Sequence, residues 1–422
     1  MKKLATLLLI VIAVLTAFAQ TPSSSDGKPT PAERSILQAK RLIEKSPKDF
    51  EAYNALALAL SRRARETSDV NYYAQAEEAL QKSFAISRDN FDGARTHVWL
   101  LLGKHEFTAA LVEGKKLNQR MPDDVMTYGF LTDANVELGN YKDAEAAAQM
   151  MLNLRPGNLP AMTRAAYLRE LFGDVDGALE LMNMALQSTA PGEVEDAAWI
   201  LSQMAHLELA TGNTTEAEKN LQQALTLFPG YHYALGNLAK VRIQQKRYDE
   251  AVQLLQQRYQ AASHAENLFD LGEALQLAGR SEDAKKAFAE FEQKSLLETN
   301  RADNSNRELI FYYADFSHEP LKALEVARRE FGRRHDVYTL DSYAWALHVN
   351  GQDKEARKQI EQALAVGVRD ARLIRHAGEI ALAEGDRDAA EKYLQQAAGL
   401  HTAESGLAKA TLARLSSATE QE

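Results

Sequence analysis

A chain of 422 residues with 45% apolar and 26% charged residues and a net charge of −10 is composed like a folded protein, not a disordered one. The acidic balance repels nucleic-acid phosphates at long range, so no DNA or RNA partner is expected. With no cysteine present, a disulfide framework, a thiolate metal site, a cysteine nucleophile and a lipid-modified cysteine are all excluded within these residues.

Residues 1–19 read as an export signal. Lys2 and Lys3 supply the positive start and Leu4 to Leu15 an almost unbroken apolar stretch. Ala17-Phe18-Ala19 then gives the small-x-small pattern that a signal peptidase accepts. This apolar run is shorter than the roughly 20 residues that span a bilayer core. Cleavage after Ala19 and release into the periplasm is therefore the expectation, with no membrane insertion afterwards. The alternatives are an uncleaved anchor in the inner membrane, or secretion. Residues 20–32 open with QTPSSSDGKPT, polar and rich in Ser, Pro and Gly, and are expected to form a disordered leader.

From Glu33 onward Ala, Leu, Glu, Gln and Lys fill nearly everything between the glycines, and clusters of Val, Ile and Thr are absent, so the fold class is all-α. A signature of glycine, a short polar stretch and alanine recurs: GNYKDA from Gly139, GDVDGA from Gly173, GNTTEA from Gly212, KRYDEA from Lys246, GRSEDA from Gly279, GQDKEA from Gly351 and GDRDAA from Gly385. Gly139 to Gly173, Ala217 to Ala251 and Gly351 to Gly385 are each 34 residues apart. Large apolar residues at helical spacing precede each turn, as with Tyr128 and Leu131, then Leu201 and Met204. The turn glycine accepts a left-handed backbone, the polar residue after it caps the second helix, and a proline such as Pro156 or Pro229 ends it. No single hairpin can bury its own apolar faces, so the units must stack.

This pattern of a large residue, Leu, a small residue, Gly, Ala and a closing Pro resembles the tetratricopeptide repeat family over residues 33–422. The resemblance implies an α-solenoid, a right-handed superhelix of antiparallel helix pairs with about nine to ten repeats, nine of them counted as complete between Phe50 and His401. The array divides into residues 33–294, an exposed polar loop at 295–306 (SLLETNRADNSN), residues 307–402, and a capping helix and tail at 403–422. Four irregularities stand out. Residues 33–47 read as a lone helix, and the first hairpin turn is swollen between Arg63 and Tyr72. About five residues are added between Gln187 and Glu195. The pair at 307–331 lacks its turn glycine and carries Pro320 near the start of its second helix.

Catalytic signatures are absent: no HExxH, GxSxG, P-loop or GxGxxG occurs. No two of the ten histidines lie three or four apart, so no compact metal site and no cofactor is expected. Only His348 and His376, in neighbouring repeats, are placed to approach each other. In the resembled family the first helix of each repeat lines a concave groove. Carried over, that register places Tyr167, Trp199, Tyr233, Phe269, Tyr338 and Trp345 on the inner face, with Lys240, Arg372 and Arg375, and Tyr312 in the irregular repeat. Aromatic side chains bury large areas at low rotamer cost and anchor protein interfaces. The expected function is a protein- or peptide-binding adaptor of the cell envelope without catalysis. The alternatives are a self-associating scaffold of an envelope, secretion or pilus assembly, or binding of a small ligand or sugar by the aromatic groove.

Overall fold

In a computed structural model, residues 29–301, 304–400, 402 and 404–419 are described, with side chains to residue 416. The signal segment and most of the expected leader lie outside these residues. A leading helix α1 (Pro31–Lys45) is followed by twenty helices that pair as ten hairpins: α2 (Phe50–Thr67) with α3 (Asn71–Ile86), α4 (Phe91–Gly103) with α5 (Phe107–Arg120), α6 (Val125–Glu137) with α7 (Tyr141–Leu154), α8 (Leu159–Leu171) with α9 (Val175–Gln187), and α10 (Val194–Ala210) with α11 (Thr214–Leu227). Then come α12 (His232–Gln244) with α13 (Tyr248–Ala261), α14 (Glu266–Leu277) with α15 (Ser281–Glu298), α16 (Asn306–Phe311) with α17 (Pro320–Phe331), α18 (Val337–His348) with α19 (Asp353–Leu364), and α20 (Ala371–Ala383) with α21 (Arg387–Gly399). Helix α22 (Glu404–Thr419) closes the array, and no strand occurs among the described residues. Ten hairpins are present, where nine were counted complete and nine to ten repeats were expected.

The repeated signature accounts for seven of the ten hairpins. Asp174, Asn213 and Asp386 accept amide hydrogens of the first turns of α9, α11 and α21. The alanine that ends each signature (Ala144, Ala178, Ala217, Ala251, Ala284, Ala356, Ala390) has no exposed surface, since it sits where the paired helices cross. Four hairpins make the turn without glycine. There Ser68, His105, Lys246 and His318 hold φ of 53°, 58°, 60° and 55°, a conformation that costs a side-chain-bearing residue energy.

Several local expectations are corrected. The leading helix starts at Pro31, inside the expected leader. Thr30 caps it reciprocally with Glu33, and its hydroxyl donates to Glu66 at 2.6 Å. The residues added after Arg63 lengthen α2 instead of swelling its turn. The segment 295–306 is only partly the exposed loop expected: among its described residues Leu296, Leu297, Asn300 and Arg301 are exposed, while others are helical or buried. Helix α15 runs on to Glu298, and Ser295, Thr299, Ser305 and Asn306 are buried. Its polar residues bond one another and the next hairpin: Asn306 donates to Glu330 at 2.9 Å, and Arg333 donates to the Asn300 carbonyl at 3.0 Å. The polarity of Thr299 and Asn306 thus serves an internal hydrogen-bond network.

The superhelix closes on itself. His335 N–H donates to the Glu137 carbonyl at 3.1 Å and Val337 N–H to the Tyr141 hydroxyl at 2.8 Å, joining the α6–α7 turn to the segment between α17 and α18. The α8–α9 turn meets the segment between α19 and α20, where Gly173 lies against the Gly367 carbonyl. One apolar cluster correspondingly unites Val136, Leu168 and Leu171 with Val337, Leu340 and Val368. Nearer the start, Arg62 and Arg65 of α2 reach Glu193, Glu195 and Asp196 at the head of α10. What short-range pattern predicts as an open groove is thus an enclosed passage.

Candidate functional site on the enclosed inner face

The first helices of successive hairpins turn one side chain in every three or four toward the passage, and most of the charges there are paired. Arg164 of α8 clasps Asp133 of α6 through two bonds of 2.5 and 2.8 Å. His206 of α10 pairs with Glu170 of α8 at 2.8 Å. Arg258 of α13 pairs with Asp270 of α14. Arg372 of α20 reaches across to Glu273 of α14 at 3.3 Å and bonds Glu404 of α22 at 2.8 Å.

The inward aromatics divide into two groups. Tyr167, Trp199, Tyr233 and Tyr338 remain partly exposed, and Tyr338 lies under the Arg307 guanidinium at 5.0 Å. Phe269 and Trp345 do not line open space. Phe269 is 2% exposed and packs on Phe288, Phe291 and Phe316. Trp345 is 6% exposed, donates from Nε1 to Asp315 at 2.8 Å, and stacks on His376 with ring centres 4.0 Å apart. Arg375, 7% exposed, is held by Glu404 and Glu379. These three expected contact residues are buried against their own hairpin and the elements adjoining it. Tyr312 likewise packs on Phe288 and Phe291. His348 and His376 engage different carboxylates, Asp353 at 2.6 Å and Asp341 at 2.7 Å.

Lys240 of α12 differs from the other inward cations. It is wetted, yet no hydrogen bond or ion pair to it occurs among the described residues. Enclosure by the superhelix, and then Arg258, Arg307 and Arg372, push its ammonium below the ordinary lysine range, against the pull of Asp270. It opens on a cavity of about 180 Å³ shared with Gln203, His206, Tyr233, Asn237, Arg258 and Asp270. The same enclosure raises inward acids: burial pushes Glu273 up to about 7 in spite of Arg372, and Asp341 to about 7 in spite of Arg307. Tyr233 is pushed up to about 12 by burial and Glu266.

The family register found Tyr233 and Lys240 but not Arg258, Asp270 or Asn237. Arg258 comes from a second helix, which that register assigns to the outside, and only the close approach over Gly236 lets it reach inward. Glu404 was missed because the capping helix has no counterpart in the repeat pattern.

A profile of the tetratricopeptide repeat matches residues 208–259. No curated protein sequence matches the chain. Among solved structures, human IFIT1 with m7Gppp-AAAA superposes with a TM-score of 0.52 at 14% identity, over 86% of this chain and 84% of that one. Human IFIT1 with PPP-AAAA gives 0.51 at 13% identity, over 86% and 85%. In the Cut9–Hcn1 hetero-tetramer the corresponding values are 0.49 and 13%, over 83% of this chain and 60% of that chain. At such identities the likeness is one of fold.

Proposed function

Because the chain is a tetratricopeptide-repeat solenoid of ten hairpins, we propose that it is a non-catalytic scaffold that holds an extended polypeptide segment of a protein partner in its inner passage. The observation that carries this reading is the cavity beside Lys240, flanked by aromatic side chains that keep open surface. Tyr233 lines it and Trp199 stands on the preceding helix. Tyrosine and tryptophan faces accept aliphatic and backbone surface, while the unpaired ammonium selects an acidic side chain or a carboxylate.

The IFIT1 structures hold capped or triphosphate RNA, but nucleic acid is a poor fit for this passage. Its arginines are already occupied by carboxylates, and the whole chain carries a net charge of −10. Reading residues 1–19 as a signal puts this scaffold in the cell envelope, where no described helix is long and apolar enough to cross a membrane.

The test uses residues 20–422 against a panel of extended peptides, with Trp199→Ala and Tyr233→Ala as variants. Each substitution is expected to weaken binding by at least about tenfold, the equivalent of about 1.4 kcal/mol. Unchanged affinity in variants that keep the parent melting temperature would sink the proposal.

A further inference from the structure

The two places where the superhelix closes are built differently. The contact of α6–α9 with α17–α20 rests on a continuous apolar cluster containing Val136, Leu168, Leu171, Val337 and Val368. The contact of α2 with α10 and α12 is polar throughout. Arg62 bonds Glu193 at 2.6 Å and approaches Asp196 at 3.8 Å. Arg65 bonds Glu195, and Asp196 at 2.8 Å. His232 Nε2–H donates to the Arg65 carbonyl at 3.2 Å, and the Tyr231 hydroxyl donates to Glu195 at 2.7 Å. The apolar clusters of α1–α5 reach no further than α6, so among the described residues none joins this arm to α10 or beyond. The Arg65 Nε and His232 Nδ1 atoms are buried there without a hydrogen-bond partner, which lowers the worth of the closed contact.

Position adds a second reason. His232 is stacked near Tyr233, with ring centres 4.0 Å apart, and Tyr233 lines the Lys240 cavity. The polar contact therefore lies beside the Lys240 cavity.

We propose that α1–α5 form a hinged arm, latched by Arg62 and Arg65 on Glu193, Glu195 and Asp196, and that opening this arm is the lateral entrance to the passage. The hinge is the α5–α6 packing, where chain continuity and the Leu117–Phe130 cluster keep the arm attached. Screening of the five charges releases the arm, while the apolar seam holds the remaining turns together. The inference concerns motion alone, so it stands or falls separately from the identity of the ligand.

The chain has no cysteine, so pairs of introduced cysteines carry spin labels at known places. Lys82→Cys with Gln223→Cys spans the polar contact through α3 and α11, and Glu145→Cys with Lys354→Cys spans the apolar one through α7 and α19. At roughly 1 M salt, where screening acts within about 3 Å, the first distance is expected to lengthen by several ångströms and the second to stay unchanged. Adding Arg62→Gln with Arg65→Gln should produce the same opening at low salt. If that variant fails to fold, the salt series on the unaltered latch decides alone. A first distance that ignores salt, or two distances that lengthen together, overturns the proposal.

Discussion

Gly173 and Gly279 share a left-handed backbone, with φ of 82° and 74°, but not the same surroundings. A Cβ on Gly279 meets nothing within 4 Å, whereas one on Gly173 lies 2.6 Å from the Gly367 carbonyl oxygen. Gly279→Ala is expected to cost only the left-handed strain, about 1 kcal/mol. Gly173→Ala adds a backbone collision between two turns of the superhelix and should cost about 2–4 kcal/mol in total. Urea midpoints of the two variants give the comparison, and equal losses would mean the turns do not touch. A second residue-scale expectation concerns Glu273, raised to about 7 by burial. A carboxyl that binds its proton more tightly when folded stabilises the protein at low pH, and that contribution is lost between about 4.5 and 7 as pH rises. Glu273→Gln therefore gains on the parent as pH increases: its melting temperature relative to the parent should be higher at pH 8 than at pH 5. A difference that does not change with pH would contradict the buried placement of this acid.

Helix α22 shows how an element without a repeat partner is held. Glu404 at its first turn bonds Arg372 at 2.8 Å and Arg375 at 2.7 Å, and burial notwithstanding, these arginines hold its carboxyl down to about 2. Removing it leaves Arg372 with Glu273 alone and Arg375 with Glu379 alone, so Glu404→Ala should cost about 2–3 kcal/mol. Because repeat arrays fray from their ends, the loss should appear as faster amide exchange across 371–400 before any change near α8. Exchange that stays at the parent rate in α20 and α21 would show that the cap is held by apolar packing alone. The irregular α16 is a related case. It continues into a π-helical turn, Tyr312–Phe316, which brings Asp315 to the indole of Trp345. Its missing turn glycine was visible in the sequence; the use made of the irregularity was not.

Across the whole molecule, an ideal solenoid has contacts only between neighbouring repeats, and its stability is a sum of nearest-neighbour terms. Here the α6–α7 turn bonds a segment 196 and more residues downstream, and α2 bonds α10 across 131. These bonds convert an extended binding surface into an enclosed one and divide it unequally. One seam has an apolar core beside its Arg334–Glu137 pair and stays shut, and one is ionic and can part. Entry to the passage is then governed by the ionic seam, and not by the residues that touch a ligand.

The sequence by itself determined everything with a short range. The 34-residue spacing, the capping Asp and Asn, the turn glycines and the crossing alanines specify hairpins whose helices reappear with the expected order and pairing. A helical register, which needs only local periodicity, also puts Tyr233 and Lys240 on the one face of α12 that lines the cavity. Tertiary structure alone decided the curvature. Small rotations between successive repeats accumulate over ten hairpins, and no local pattern encodes their sum. That sum brings α2 against the head of α10 and the α6–α7 turn against the start of α18. Whether an inward side chain meets water or another helix depends on how far the superhelix winds, a quantity set by packing between residues far apart in the chain.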